Sequence, residues 1–237
     1  MFQNKKLLSI IPARAGSKRL PKKNIKPLGD KPLITWSIEA SLDSEFIDTT
    51  LVSTDCEEIA MISKNCGAAV EFLRPDSLAK DDTKSVDVII HAVEFLKNML
   101  DQEYDYVLLL QPTSPFRTSE DIDNALKYMF EKNADALVSV TNSEHSPLWA
   151  NTLEDDDNME HFLPENLKNS RSQDLKPYYR LNGAIYICDV KKLLEEKTFF
   201  LKKNIYAFRM SQLHSVDIDT KLDFLLAQTI LTENINE

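Results

Sequence analysis

From Leu7 to Val140 the chain repeats one pattern: a short apolar or β-branched run, a turn, then a stretch with apolar residues at helical spacing. The runs predict strands at 7–11, 49–54, 69–72, 106–110 and 136–140, and the stretches between them predict helices at 32–41, 57–65, 85–100 and 120–131. Pro32 suits a first helical turn, and Asp55 is placed to cap the helix after it. Such alternation predicts an α/β fold with a mostly parallel sheet and helices on both faces. Tyr106-Val107-Leu108-Leu109-Leu110 is almost wholly apolar, as a central strand buried on both sides should be. Sheets of this kind bind ligands at the carboxyl ends of their strands, so the segments just after each strand are where function is sought.

The first such segment is the most informative. The apolar run 7–11 breaks at Pro12 into Ala13-Arg14-Ala15-Gly16-Ser17-Lys18-Arg19-Leu20-Pro21-Lys22-Lys23-Asn24-Ile25-Lys26, which carries six basic residues and no acidic one. Backbone N–H groups around a glycine in a turn can form an anion-binding nest, and Arg and Lys supply the charge that neutralises a polyphosphate. A solvated basic loop has the same composition. A Walker-type loop would need Gly-Lys-Ser/Thr, whereas Gly16 is followed by Ser17-Lys18, so any cradle here is of another kind.

Charge limits the partners. The whole chain carries a formal net charge of −10, so outside this loop it is strongly acidic. A nucleic-acid polymer needs a broad basic surface and is excluded on that ground, whereas a small anion in one basic pocket fits. Hydrophobic residues at 43% and charged residues at 28% are ordinary for a globular protein. No apolar stretch approaches membrane-spanning length and the N-terminus lacks signal-peptide features, so a cytoplasmic protein without membrane contact is expected. Cys56, Cys66 and Cys188 lack metal-ligand spacing and are expected to be reduced. The length of 237 residues suits one domain.

Two further segments follow strands. Gln111-Pro112-Thr113-Ser114-Pro115-Phe116-Arg117 ends the run 106–110 with two prolines, which stop a strand sharply. Near the C-terminus, Ser215-Val216-Asp217-Ile218-Asp219-Thr220 precedes a helical pattern whose apolar positions include Leu222, Leu225, Leu226 and Ile230. In an extended strand Asp217 and Asp219 would project to one face while Val216 and Ile218 faced the core. Two convergent carboxylates suit Mg²⁺, which completes its shell with water and substrate phosphates. A strand edge running into a helix cap explains the same residues. Between 141 and 180 the alternation stops in a polar stretch that includes Glu154-Asp155-Asp156-Asp157, expected as a solvated turn; strand character returns at 179–187.

The order of residues adds more than composition does. Ile-Pro-Ala-Arg-x-Gly-Ser-Lys-Arg-Leu-Pro-x-Lys-Asn (11–24), Leu-Gln-Pro-Thr-Ser-Pro-x-Arg (110–117), Arg-x-Asn-Gly-Ala-Ile-Tyr (180–186) and Asp-Ile-Asp-Thr (217–220) together resemble the acylneuraminate cytidylyltransferases, the CMP-sialic acid synthetases. The resemblance runs from about Leu8 to Leu226 and is weakest between 141 and 178. It implies a Rossmann-like nucleotide-diphosphosugar transferase fold and transfer of CMP from CTP to a nine-carbon 2-keto sugar acid, with release of pyrophosphate. On this resemblance Arg14, Ser17, Lys18, Asn24, Arg74 and Ser85 meet the nucleotide. Arg14, Lys23 and Asp217 are the catalytic candidates, with Lys23 placed for the charge on the departing phosphates. Asp217 and Asp219 would hold Mg²⁺, and Gln111, Arg171, Tyr186, Phe199 and Phe200 would meet the sugar. An arginine that the family places before Gln-Asp-Leu falls on Ser172 here, with Arg171 one position earlier. After Arg74-Pro75 one residue is inserted, so Asp81-Asp82-Thr83 pairs with the family pattern in more than one way. The segment 141–180 corresponds to an excursion that builds a homodimer, and Phe199-Phe200 to an aromatic pair that can reach a neighbouring subunit's sugar site.

No side chain stands out as a general base. The competing readings are a cytidylyltransferase for another keto acid, such as 3-deoxy-manno-octulosonate, and a nucleotide-binding regulatory protein without turnover.

Overall fold

A computed structural model describes residues 2–168, 170, 171 and 174–233. In chain order the elements are β1 (Leu7–Pro12), β2 (Pro27–Leu28), β3 (Lys31–Pro32), α1 (Leu33–Leu42), β4 (Thr49–Ser53), α2 (Glu57–Asn65), α3 (Ser85–Leu100) and β5 (Tyr106–Leu109). These are followed by α4 (Ser119–Glu131), β6 (Ala136–Asn142), β7 (Tyr179–Asp189), α5 (Val190–Glu196), β8 (Ile205–Arg209) and α6 (Lys221–Thr232). Six strands form one sheet in the order β4-β1-β5-β7-β6-β8. Every neighbouring pair is parallel except those made by β7, which runs antiparallel to both β5 and β6.

Side-chain alternation along the central strands explains the two covered faces. Leu7 and Ile11 of β1, with Leu108 and Leu110, pack against Ile34 and Ile38 of α1, Ile59 of α2 and Leu126 of α4. Leu8 and Ile10, with Val107 and Leu109, pack against Ile89, Val93 and Leu96 of α3 and Leu193 of α5. Ser9 shares the α1 face without breaking it, because its hydroxyl bonds Ser41, which in turn bonds Thr50. A third, smaller cluster joins Leu20 of the basic loop to Leu28, Leu33, Ile218, Phe224 and Ala227. It lies directly behind the functional segments and fixes the two loops that carry them.

Several expectations need correction. The run 69–72 forms no strand; it touches the sheet only through isolated bridges at Ala69 and Leu73. Helix α1 begins after Pro32, and Cys56, not Asp55, is the residue that precedes α2. Strand β8 had no counterpart in the sequence reading. On α6 the buried side is Phe224, Ala227 and Ile230, while Leu222 is 75% exposed and Leu225 and Leu226 are exposed as well. Asp217 and Asp219 lie in a loop, not a strand. The short strands β2 and β3 and helix α5 had no counterpart either; the other expected helices and strands fall within two residues of expectation, and α2 and α3 match at both ends. Cys56, Cys66 and Cys188 are free, and burial pushes the Cys188 thiol up to about 12. The irregular segment between β6 and β7 is mostly exposed, and Glu154 to Asp157 form a solvent-facing turn in it.

Candidate active site

At the carboxyl ends of β1, β4 and β5 a cleft of about 500 Å³ opens between the basic loop, the segment before α3, the turn after β5 and the Asp217–Asp219 loop. Each wall has an identifiable local cause. The basic loop leaves β1 with the Ala13 N–H bonded to the Ser53 carbonyl at 2.9 Å, so it starts in register with β4. Asp55 then accepts the Ala15 N–H at 2.9 Å, and the buried Asn24 donates Nδ2 to the Arg14 carbonyl at 2.9 Å. Asn24 therefore ties the two ends of the loop together, and Asp55 holds it to the strand beside it. Gly16 does not need a glycine's backbone freedom: its φ is not in the left-handed region, and an added Cβ would meet only Arg14 Nη1, at 4.0 Å. The loop is thus shaped by side-chain ties more than by a glycine nest.

The cations of the loop already face carboxylates. Arg14 Nη1 lies 2.7 Å from Asp81 Oδ1, and Lys18 Nζ pairs with the other oxygen of the same carboxylate. These two bonds hold the Asp81 carboxyl below the usual carboxylate range. Asp81, not Asp82, is therefore the member of the acidic pair that enters the cleft. Lys23 Nζ donates to Asp219 Oδ1 at 3.0 Å and to the Ile218 carbonyl at 2.7 Å, while Arg19 reaches Asp219 Oδ2 at 3.4 Å.

The acidic loop keeps its two carboxylates on the cleft side without any sheet pairing. Ile218 is the peg: it is fully buried in the third cluster, and its N–H donates to the Thr113 carbonyl at 2.8 Å. Asp217 and Asp219 flank it, and both line the cleft. Burial holds the Asp217 carboxyl above the usual range; a Thr113 hydrogen bond opposes the rise, and Asp219 reinforces it. Asp217 Oδ1 is buried with no hydrogen-bond partner among the described residues. An unpaired, desolvated carboxylate oxygen is costly unless a cation completes it.

Arg74 is buried beneath the cleft wall, where Nε donates to Ser53 Oγ at 3.1 Å and Nη2 to the Ser53 carbonyl. Burial lowers its pKa to about 10, which leaves it charged at neutral pH. Ser85 is the first residue of α3 and lines the cleft at that helix's N-terminal end, where the backbone dipole favours negative charge. Gln111 lines the cleft from the turn after β5. Its carbonyl accepts from Ser37 Oγ and from Arg117 Nη1, an arginine only 2% exposed that also donates to the Ala184 carbonyl at 3.0 Å. Arg117 thereby locks the end of β5 to β7.

The cleft thus gathers Arg14, Ser17, Lys18, Lys23, Asn24 and Arg74, together with Ser85, Gln111, Asp217 and Asp219. Four other candidates do not line it. Arg171 is exposed and lies 3.8 Å from Asp174. Phe199 is buried against Tyr186, with ring centroids 5.8 Å apart, and Phe200 stands exposed on the other side of Tyr186 at 6.3 Å. Tyr186 is close enough to Asp217 to feel its charge, which adds to burial in raising the phenol pKa. Sequence reasoning missed Thr113, Leu20 and Arg117, although all three stand inside segments it singled out; their roles depend on contacts between loops that are far apart in sequence.

Fold and cleft together define an α/β protein with a cationic, polyphosphate-sized site at its strand ends. The chain belongs to the cytidylyltransferase family, whose pattern it matches over residues 8–236. It is 37% identical over 235 residues to the CMP-N,N'-diacetyllegionaminic acid synthase of Legionella pneumophila, covering 97% of both chains. It is 38% identical over 226 residues to an N-acylneuraminate cytidylyltransferase of Escherichia coli, covering 95% of this chain and 52% of that one. In fold it resembles the CMP:2-keto-3-deoxy-manno-octonic acid synthetase solved with CTP, with a TM-score of 0.72 at 17% identity over 97% of this chain and all of that one.

Proposed function

We propose that the protein activates a nine-carbon 2-keto sugar acid with CTP, giving the CMP-sugar and pyrophosphate, with N,N'-diacetyllegionaminic acid as the first acceptor to test. The observation that carries this reading is the meeting of the basic loop and the Asp217–Asp219 loop in one cleft, in a chain matched along nearly its whole length by a CMP-diacetyllegionaminic acid synthase. The likeness to the octonic acid synthetase is one of fold at 17% identity, so the eight-carbon acid is the weaker candidate.

In this reading the anomeric hydroxyl oxygen of the acid forms a bond to the α-phosphorus of CTP as the bond from that phosphorus to the α,β-bridging oxygen breaks; the bridging oxygen leaves with pyrophosphate and the hydroxyl proton passes to solvent. The chemistry rests on alignment and on stabilising charge. Arg14, Lys18 and Lys23 neutralise the phosphates, with Lys23 held by the Ile218 carbonyl at the side where pyrophosphate leaves. Ser17, Asn24, Arg74 and Ser85 shape the nucleotide's seat, and Gln111 faces the acceptor.

Asp217 and Asp219 fit Mg²⁺. Asp217 offers a buried oxygen without a partner, and among the described residues no group of three or more His, Cys, Asp or Glu could hold a metal. Two carboxylates with the rest of the shell from substrate and water is the arrangement this ion favours. Bound there, the ion would supply charge neutralisation at the phosphates.

We also assign the segment between Asn142 and Tyr179 to a homodimer contact. Leu153, Met159, Tyr178 and Leu181, in this segment and at the start of β7, are exposed, which suits burial against a second copy. Phe200 and Arg171, which do not line this chain's own cleft, are then candidates for the partner's sugar site. Among the described residues no helix is long and apolar enough to cross a membrane, which is compatible with a cytoplasmic enzyme.

The test is pyrophosphate release from CTP and Mg²⁺ with legionaminic, neuraminic and pseudaminic acids and 3-deoxy-manno-octulosonate supplied separately. Release with a nine-carbon acid, abolished by EDTA, is expected. Measurable CTP binding without release from any of the acids would favour the regulatory reading.

A further inference from the structure

The pairing of β6 with β7 shifts register between Val138, which faces Tyr186, and Val140, which faces Leu181, so the extra residues, 182–185, bulge on β7. Bulges of this kind re-aim side chains next to active sites. Within that bulge stands Asn182, 1% exposed, with its whole side chain committed. Its Oδ1 accepts from Ser139 Oγ at 2.5 Å and from the Ala184 N–H at 3.2 Å. Its Nδ2 donates to Ser215 Oγ at 2.9 Å and approaches Met210 Sδ at 3.4 Å. Ser215 is fully buried; its hydroxyl donates to the Ser211 carbonyl at 2.5 Å and its N–H to the Gln212 carbonyl at 3.1 Å. Two residues on is Asp217.

This connection crosses from the sheet to the acidic loop by a path separate from Ile218, which anchors the loop from the other side through Thr113. The loop has no strand pairing of its own, so these ties, with the Lys23 bond to the Ile218 carbonyl and the Thr113 hydrogen bond to Asp217, set where the Asp217 carboxylate stands. Both ends of the amide are used, and the Ala184 N–H, which can only donate, fixes which end is which: Oδ1 faces it and the Ser139 hydroxyl, leaving Nδ2 for Ser215.

We propose that Asn182 is a positioning residue which, through Ser215, holds Asp217 in the orientation that receives the metal. The inference rests on the reading of Asp217 as a metal ligand. Groups that orient a ligand in this way commonly change metal affinity about 10- to 100-fold when removed.

The test uses the full chain with CTP and Mn²⁺ as the probe, following bound Mn²⁺ by water-proton relaxation, with CTP affinity in EDTA and thermal midpoint measured alongside. Ser215→Ala is the first variant and Asn182→Ala the second. Ser41→Ala is the control, because it breaks a buried hydroxyl chain on β1 and β4 that has no link to the acidic loop. The expected result is Mn²⁺ affinity lowered about tenfold or more in both Ser215→Ala and Asn182→Ala. CTP binding in EDTA stays near wild type, and Ser41→Ala loses stability without losing Mn²⁺ affinity. If Asp217→Asn loses Mn²⁺ while Ser215→Ala and Asn182→Ala bind it as wild type does, the positioning role is overturned and the metal site stands. If Asp217→Asn itself binds Mn²⁺ as wild type does, the metal reading fails, and this inference fails with it.

Discussion

Lys23 Nζ sits 3.0 Å from Asp219 Oδ1, joining a lysine in the first loop to an aspartate near the end of the chain. The same ammonium bonds the Ile218 carbonyl at 2.7 Å, and the lysine side chain is largely buried while the aspartate is half exposed. This contact holds the two functional loops together, and in the proposed reading the lysine turns its charge to phosphate when nucleotide binds.

Replacing Lys23 with Met should therefore separate catalysis from stability. Loss of one well-placed donor to developing charge costs about 10²- to 10³-fold in turnover, whereas a partly exposed ion pair contributes about 1 kcal/mol or less. Steady-state kinetics and a thermal melt on the same preparation check this. Near-normal turnover would remove Lys23 from the chemistry.

Asp81 holds Arg14 and Lys18 where phosphate would bind. A triphosphate has to displace it, so Asp81→Asn should tighten CTP binding. Both side chains of the Lys18 pair are well exposed, so solvent screening limits the gain to about a few-fold. Calorimetric titration with CTP at low and high salt measures it. Weaker binding in the variant would mean that Asp81 contributes to the nucleotide site instead of competing for it.

Gly183 has φ +74, and a Cβ there would lie 2.9 Å from Gln111 Oε1. Gly183→Ala should cost about 1–2 kcal/mol in backbone strain and push the Gln111 side chain away. The expected result is a raised KM for the sugar acid with CTP affinity kept. A change confined to CTP would place Gln111 on the nucleotide instead.

Asp217 gives a prediction about pH. Burial raises its carboxyl above the ordinary aspartate value of 3.8, so the folded state holds that proton more tightly than the unfolded state. Without metal, wild type loses stability relative to Asp217→Asn as pH rises from 3.8 through Asp217's own raised value, and the difference then levels off. At neutral pH the Asn variant should be the more stable, while turnover collapses. Urea unfolding in EDTA across this range decides it; a variant less stable at neutral pH would show that the carboxylate is satisfied in the free protein.

Much of this was legible in the sequence because it is local. Helices α2 and α3 carry their own periodicity, and the basic loop, Gln111 and the Asp217–Asp219 pair stand inside short continuous motifs. What was not legible depends on partners far away along the chain. The antiparallel direction of β7 follows from a long excursion whose path no local pattern encodes. Strand β8 is an edge strand with only weak alternation, so periodicity did not reveal it. The choice of Asp81 over Asp82 is made by Arg14, 67 residues earlier. Leu222, Leu225 and Leu226 fit a helical stripe, but Phe224 and Ala227 won the buried side because Leu20, Leu28 and Ile218 are packed there.

The most direct test follows the phosphorus atoms. Enzyme, Mg²⁺ and N,N'-diacetyllegionaminic acid are incubated with CTP labelled with ³²P at either the α or the γ position, and the products are separated. The expected result is that the α label moves into a sugar conjugate and the γ label into pyrophosphate, both only when the acid is present. An α label that remains in CTP or appears as free CMP with every nine-carbon acid, in protein that binds CTP, would contradict it.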